Sequence, residues 1–315
     1  MPLDHYVSQV HLRNFYAPET ERLFGVKKSD LKTFPCRSED VCRIEDGSTN
    51  AYLRQERAIE DFLLSVEPQY NTALATLRSG KPDQECVSVM AGFAAYVSSC
   101  APAAMRIGTP PLQAGLEADA LELDKQGVFG NAPPSLGGKS LTELLADGAV
   151  KFSVDEKYPQ ALGTSGIIYR LSVWGNSPWE VLRSDDPDTP FCTSDFPVAI
   201  EQRADGVMNR IVPLAPDLAI RIMPDRRLQR VPPDLSFSQF SHRYRNVTRS
   251  EIVEINRAIV QCAEDMVFFR GQAPWIKDYV AKHRYFRIES IIEKGDARTR
   301  SSPRVIQRIV ERRPL

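Results

Sequence analysis

Two short segments of the chain carry side chains that can transfer protons or bind a substrate. The first, residues 5–14, contains His5, and an imidazole titrates near neutral pH, so it can act as a general acid or base. The second, residues 193–197, places Asp195 at the end of a predicted strand, where a carboxylate could serve as a base or a ligand. The polar neighbours are the candidate substrate-binding residues, namely Gln9, Arg13, Asn14, Thr193 and Ser194.

Both segments also have a structural interpretation. His5 is equally suited to anchor the N-terminal segment to a sheet through hydrogen bonds, and Thr193-Ser194-Asp195 can shape a turn by bonding to nearby backbone. Ser194 lacks the Gly-x-Ser-x-Gly surroundings of a nucleophilic serine. His5 and His11 are six residues apart, which is not a helical metal-binding spacing.

Two glutamates form the third candidate. Glu60 and Glu67 are seven residues apart, so on one continuous helix they lie within about 20° of each other. Two carboxylates facing a pocket could divide the acid and base roles or hold a divalent cation. The alternative is that they pair with Arg57 or Arg13, or face water. With His5 and Asp195 they complete the predicted catalytic set.

The charge is distributed unevenly along the chain. The net charge is −1, but residues 201–315 hold 22 Lys and Arg against 14 Asp and Glu, a balance of +8, and leave −9 for residues 1–200. The basic half is mostly arginine, whose guanidinium matches phosphate geometry, so nucleic acid or a nucleotide is a candidate partner. The densest part is the C-terminal tail, with Arg298, Arg300, Arg304, Arg308, Arg312 and Arg313. The alternative is a solvated surface that complements the acidic half.

Several classes of protein are disfavoured by what the sequence lacks. It contains no P-loop, no dinucleotide-binding glycine motif, no His-Glu-x-x-His and no Cys/His cluster. There is no apolar run of about eighteen residues and no leader-like start, and the six cysteines are scattered without a Cys-x-x-Cys pair. We therefore expect a cytoplasmic protein with reduced thiols and no membrane span. A divalent cation is the cofactor that the sequence leaves open.

Helical signals dominate the first half. Ser8 is placed to cap a short helix, and the apolar residues of 50–78 recur at helical spacing until Pro68 interrupts them. Asp83 is placed to cap a buried helix over 86–97, and Ser140 with Glu143 forms a capping box. The apolar and aromatic residues of the first fifteen positions predict that the N-terminal segment docks on the core.

Strand signals follow, and then one more helix. Short β-rich runs between 165 and 223, beginning with 167–173, predict a mainly antiparallel sheet. Thr248 with Glu251 opens a helix expected over 249–270. The fold class is α+β, a largely helical N-terminal half packed with a small sheet and a long C-terminal helix. The working division is a helical lobe, residues 1–150, and a sheet-containing lobe, residues 151–315, or one continuous domain.

The order of these motifs resembles the family catalogued as domain of unknown function 4238. The matching segments are His5-Tyr6-Val7-Ser8-Gln9, the glutamates of the predicted helix, Thr193-Ser194-Asp195-Phe196-Pro197, Pro213-Leu214-Ala215-Pro216 and Ile255-Asn256-Arg257. The chain departs from the family pattern at Ser8, Phe196 and Cys100. The resemblance implies a plan of the whole chain and no particular chemistry.

Two functions are consistent with these features. The first is a hydrolase acting on nucleic acid or another phosphate-containing substrate, with the predicted catalytic set at its site and C-terminal arginines on the phosphates. The second is a non-enzymatic binding or scaffold protein, in which the recurring motifs are folding constraints.

Overall fold

The computed structural model describes residues 3–230, 232–293 and 304–312, which form a mixed α+β fold. The α-helices are α1 (Gln9–Arg13), α2 (Ala58–Leu64), α3 (Tyr70–Ser79), α4 (Gln84–Cys100), α5 (Pro102–Lys125), α6 (Leu141–Ala146), α7 (Lys157–Ser165), α8 (Ile167–Gly175), α9 (Arg249–Cys262) and α10 (Trp275–His283). Short 3-10 helices are Ser38–Asp40, Glu67–Gln69, Pro134–Leu136 and Arg226–Arg230.

Strands occur along the whole chain. They are β1 (Leu3–His5), β2 (Leu23–Lys27), β3 (Thr33–Cys36), β4 (Arg43–Glu45), β5 (Pro178–Arg183), β6 (Thr193–Ser194), β7 (Ala199–Gln202), β8 (Met208–Ala215), β9 (Leu218–Ile222), β10 (Ser241–Asn246), β11 (Met266–Phe269), β12 (Phe286–Glu293) and β13 (Arg304–Glu311). The first half is therefore less purely helical than the sequence predicted.

Most strand pairs are antiparallel, as predicted. The larger sheet has the order β10-β5-β9-β8-β7, and only its β10–β5 pair is parallel. A second sheet, β3-β2-β11-β6, is antiparallel throughout and joins strands from both ends of the chain. Two-stranded pairs are formed by β1 with β4 and by β12 with β13. The sheet structure is thus distributed over more than the one sheet expected.

The local helix signals are confirmed except at Ser8, which precedes α1 but makes no side-chain capping bond and donates to Glu67 instead. Asp83 caps α4 by accepting from the Cys86 backbone N–H, and capping boxes open α6 at Ser140 and α9 at Thr248. The helical pattern is interrupted near Pro68, as predicted. Helix α2 ends at Leu64, and α3 begins only at Tyr70. Each confirmed signal depends on residues within a few positions, so neighbouring structure does not override it.

The prediction of a strand over 167–173 is wrong. These residues form most of α8, which packs against α4. Their β-branched and aromatic composition resembles a strand, but the buried residues Ile167, Leu171 and Trp174 follow helical spacing. Burial of that stripe against another helix outweighs the local β propensity.

The prediction of a long C-terminal helix also needs correction. Instead of reaching Gly271, α9 ends at Cys262, and the described chain continues mainly as strands. The helix ends because the next backbone N–H groups, from Glu264 to Met266, bond to the Asp195 carboxylate. Those bonds direct the chain into β11.

The N-terminal segment docks on the core, as its apolar density predicted. Val7, Leu12 and Phe15 are 0% exposed and belong to one contiguous cluster with residues of both halves of the chain.

Among the described residues, no single helix is long and apolar enough to cross a membrane; α4 and α5 reach that length and composition only as a pair bent by 58°.

Candidate functional site

The N-terminal helix places His11, rather than His5, against the Thr-Ser-Asp block. His11 Nδ1 lies 2.8 Å from the Tyr70 hydroxyl, and His11 Nε2 lies 2.8 Å from Thr193 Oγ1. The ring also stacks on Phe93 with centroids 4.6 Å apart. Burial lowers the pKa of His11 to about 3, so the imidazole is neutral and both ring nitrogens are occupied. His11 and Thr193 therefore connect elements of the core.

Asp195 forms part of the backbone framework. Its Oδ1 accepts from Glu264 N at 2.8 Å, and its Oδ2 accepts from Asp265 N and Met266 N at 2.7 Å. Burial raises the pKa of Asp195 to about 6, against the opposing effect of these bonds and of Lys28. Ser194 Oγ accepts from the Phe196 backbone N–H. The Ser194 bond matches the turn-forming alternative for this block, whereas the Asp195 carboxylate bonds to backbone 69 to 71 positions later in the sequence.

His5 lies in a different, half-buried cluster. Its Nδ1 is 3.4 Å from the Gln9 amide nitrogen, while its Nε2 is shielded and has no partner among the described residues. Burial lowers the pKa of His5, against the opposing effect of backbone hydrogen bonding to Ser38 and Glu39 and the smaller effect of the Glu67 charge. Glu67 in turn accepts from Ser8 Oγ at 2.5 Å.

The other predicted residues near the N terminus are bonded locally. Arg13 donates to Gln9 at 2.9 Å. Asn14 donates to Val10 O at 2.8 Å and to Asn71 Oδ1 at 2.9 Å. The Asn14 bonds therefore do not involve Thr193, Asp195 or Glu60.

The two predicted glutamates do not share a helix. Glu60 is on α2 and forms an ion pair with Arg57, one of the alternatives considered from the sequence. Glu67 begins the 3-10 helix after the break, so the seven-residue spacing no longer places the two carboxylates on one face. Of the predicted catalytic set, Glu67 is bonded to Ser8, three residues after His5, whereas Glu60 and Asp195 have other partners.

The described part of the arginine tail belongs mostly to β13. Arg308 pairs with Glu293 and Arg312 pairs with Glu289, both on β12. Arg304 is exposed and lines a cavity, whereas Arg298, Arg300 and Arg313 lie outside the described residues.

A different group of residues forms the most distinctive site. Two cavities, of about 380 and about 600 Å³, adjoin and share Trp174, Arg210, Val305 and Gln307. We call the joined space the arginine cleft. Residues of α5, α7 and α8 line the smaller cavity, and its larger neighbour lies along residues 206–210 and 304–307.

Two guanidinium groups lie close to the Trp174 ring in this cleft. The Cζ atoms of Arg170 and Arg210 lie 5.9 and 5.7 Å from the ring centroids of the indole. Arg170 donates a hydrogen bond to Ser99 Oγ. Arg210 Nε is shielded from solvent and has no hydrogen-bond partner among the described residues.

The described charged side chains that line the cleft are all positive. Burial lowers the pKa of Arg170, and burial together with the charge of Arg170 lowers the pKa of Arg210 to about 10. None of the described residues that line either cavity is Asp or Glu. By contrast, Arg221 on β9 and Arg243 on β10 share the carboxylate of Glu180.

An anion would compensate this positive charge. Taking a guanidinium out of water without a partner costs free energy, and two adjacent ones also repel each other. A carboxylate or phosphate between them would form charge-assisted, bidentate hydrogen bonds.

No sequence pattern pointed to these residues. Residue 170 was assigned to a strand, which hides the fact that Arg170 and Trp174 are one helical turn apart. Arg210 comes from β8, forty positions later, and no local pattern relates the two. Recognising 167–175 as helical would have revealed half of the site.

No group of three or more His, Cys, Asp and Glu side chains that could hold a metal ion was found in the described ranges.

Comparisons with known proteins gave no match: neither a protein-family model, nor a curated protein, nor a solved structure is similar to this chain at significance.

Proposed function

We propose that this protein binds a phosphate-containing ligand in the arginine cleft. The observation that carries the proposal is the pair Arg170 and Arg210, which line a cavity without any carboxylate among its described lining residues. Many arginines elsewhere have an acidic partner, as Arg57, Arg78 and Arg257 do. Two guanidinium groups that destabilise the protein when no ligand is bound are typical of a binding site.

Nucleic acid is the ligand class that the charge distribution favours. Residues 201–315 carry the excess of arginine, and the larger cavity extends from Arg210 towards Arg226 and Arg304. A chain of phosphates could therefore follow the cleft, with successive guanidinium groups in reach.

The direct test uses a fluorescein-labelled single-stranded RNA and fluorescence anisotropy at several salt concentrations. Arg170→Gln/Arg210→Gln should weaken binding at least tenfold, because each charged hydrogen bond to phosphate contributes about 1.5 kcal/mol or more. The matched control is Arg37→Gln/Arg257→Gln, which removes the same charge from two exposed, locally paired side chains. Equal weakening in both double variants would show that the loss of affinity comes from net charge alone, and would refute the site.

Hydrolysis of the bound ligand is a second candidate function, favoured by His5 and Glu67. His5 is half-buried, and its Nε2 has no hydrogen-bond partner among the described residues, which suits an acid or base; Glu67 is bonded to Ser8, three residues after His5. Neither residue lines the arginine cleft, so catalysis would need a substrate that reaches both places.

Hydrolysis is tested by incubating the protein with RNA and DNA, with and without Mg²⁺ or Mn²⁺. Activity that falls at least a hundredfold in His5→Ala and in Glu67→Gln would support the pair as general acid and base. Binding without cleavage in every condition would leave the non-enzymatic alternative.

A further inference from the structure

The charge, shape and walls of the smaller cavity specify which kind of phosphate enters it. We propose, building on the phosphate-binding function above, that Arg170 and Arg210 receive a terminal phosphomonoester, with the adjoining organic group lying against the apolar wall of α5 and α7. The phosphorylated end of the ligand thus occupies the smaller cavity, and the rest of the ligand extends through the larger cavity.

Charge matching favours a monoester over a diester or a carboxylate. A phosphodiester or a carboxylate carries one negative charge, which compensates only one of the two guanidinium groups. A phosphomonoester carries about −1.5 to −2 charges at pH 7 and three acceptor oxygens. It can therefore neutralise both Arg170 and Arg210 and accept from both forks at once.

The positions of the two guanidinium groups are fixed by packing. Trp174 is only 6% exposed, and both guanidinium groups lie within about 6 Å of its ring. Arg170 is on the same helix as the indole, one turn earlier, and Arg210 is on the neighbouring strand β8. Because the site is preorganised, little side-chain entropy is lost when an anion binds.

A hydroxyl group adds a further polar contact. Ser98 lines the smaller cavity, and its buried Oγ has no hydrogen-bond partner among the described residues. Ser99 Oγ already accepts from Arg170 and donates to Ala95 O. The free hydroxyl of Ser98 can therefore donate to a phosphate oxygen.

The remaining wall is apolar. Side chains of α5 and α7 form it, namely Ala104, Ile107, Pro111, Leu112, Pro159 and Leu162. At about 380 Å³ the cavity has the size of a small-molecule pocket and greatly exceeds one phosphate group. The space beside the arginines therefore suits the organic group that carries the phosphate, and burial of its apolar surface stabilises the complex.

The test compares phenyl phosphate with methyl phenyl phosphate by titration calorimetry on the unmodified full chain. The two probes share the aromatic ring and differ mainly in charge, so we expect the monoester to bind at least tenfold more tightly. Its affinity should rise between pH 5 and pH 7.5, because the second phosphate ionisation lies near pH 6. The preference should disappear in Arg210→Gln, with Arg257→Gln as the control of equal charge.

The possible outcomes separate this inference from the proposed function. If both esters bind equally and both depend on Arg210, the phosphate site stands and the monoester preference is overturned. If neither ester binds but RNA does so through Arg170 and Arg210, the monoester inference again fails alone. If neither the esters nor RNA binds, both proposals fail. The comparison of the two esters uses the unmodified chain, so it does not depend on whether a variant folds.

Discussion

The imidazole of His11 lies 2.8 Å from the hydroxyl of Thr193, a residue 182 positions away in the sequence. Both side chains are fully buried. Together with the bond to Tyr70, this contact joins the N-terminal helix to the core and to β6. The polar residues of the N-terminal segment and of the Thr-Ser-Asp block are thus connected, but by a histidine that the sequence did not single out.

We predict that His11 makes stability depend on pH. Burial lowers the pKa of His11 from 6.5 to about 3, so the unfolded chain binds more protons than the folded chain between these values. The His11 contribution is complete above pH 6.5 and declines as pH falls towards 3, by at most about 1.4 kcal/mol per pH unit. Urea unfolding at a series of pH values should show this decline.

The matched variant is His11→Gln, which keeps one donor and one acceptor but does not titrate. Subtracting its stability curve from that of the unmodified protein isolates the His11 contribution, since other titrating groups cancel. An exposed histidine, His242, provides the control through His242→Gln. Parallel curves for His11→Gln and the unmodified protein would contradict a neutral, buried His11.

We predict that Asp195→Asn destabilises the fold by about 2 to 4 kcal/mol at pH 7. The amide nitrogen cannot accept, so the variant leaves at least one of the partly buried N–H groups of Glu264, Asp265 and Met266 without a partner. The variant should therefore unfold at lower urea concentration. Asp205→Asn, at an exposed position, should change stability by no more than about 0.5 kcal/mol.

The contribution of Asp195 to stability depends on pH with the opposite sign to that of His11. Burial raises the pKa of Asp195 from 3.8 to about 6, so the folded state binds more protons in this window. The contribution of Asp195 is complete below pH 3.8 and declines as pH rises to 6. The stability of the unmodified protein relative to Asp195→Asn should decline in the same direction; a flat difference would contradict the raised pKa.

We predict that Arg210→Met leaves the protein without ligand equally stable or about 1 kcal/mol more stable. The substitution removes a shielded guanidinium that repels Arg170 and has no acidic partner among the described residues. Thermal unfolding in a buffer free of phosphate and sulfate measures the effect.

The contrasting variant is Arg221→Met on the adjacent strand. Arg221 pairs with Glu180 and Glu201, and its loss leaves the buried Glu180 with one cation fewer, so a loss of about 3 kcal/mol is expected. If Arg210→Met lowers stability as much as Arg221→Met, Arg210 has a structural role and the argument for an empty anion site fails.

The sequence alone determined the features that depend on short-range interactions. The capping signals of Asp83, Ser140 and Thr248 and the break near Pro68 each involve groups within one helical turn, so local chemistry decides them. The docking of the N-terminal segment also followed from sequence, because so dense an apolar stretch is unfavourable in water whatever surface covers it.

Only the tertiary structure decided the features that depend on distant partners. The segment 167–173 is a helix because its apolar stripe packs on α4, and α9 stops at Cys262 because Asp195, over sixty positions earlier, binds the following N–H groups. The arginine cleft joins α8 to β8 in the same way. Periodicity describes one element at a time, whereas burial and charge at a site are set by whichever elements the folded chain brings together.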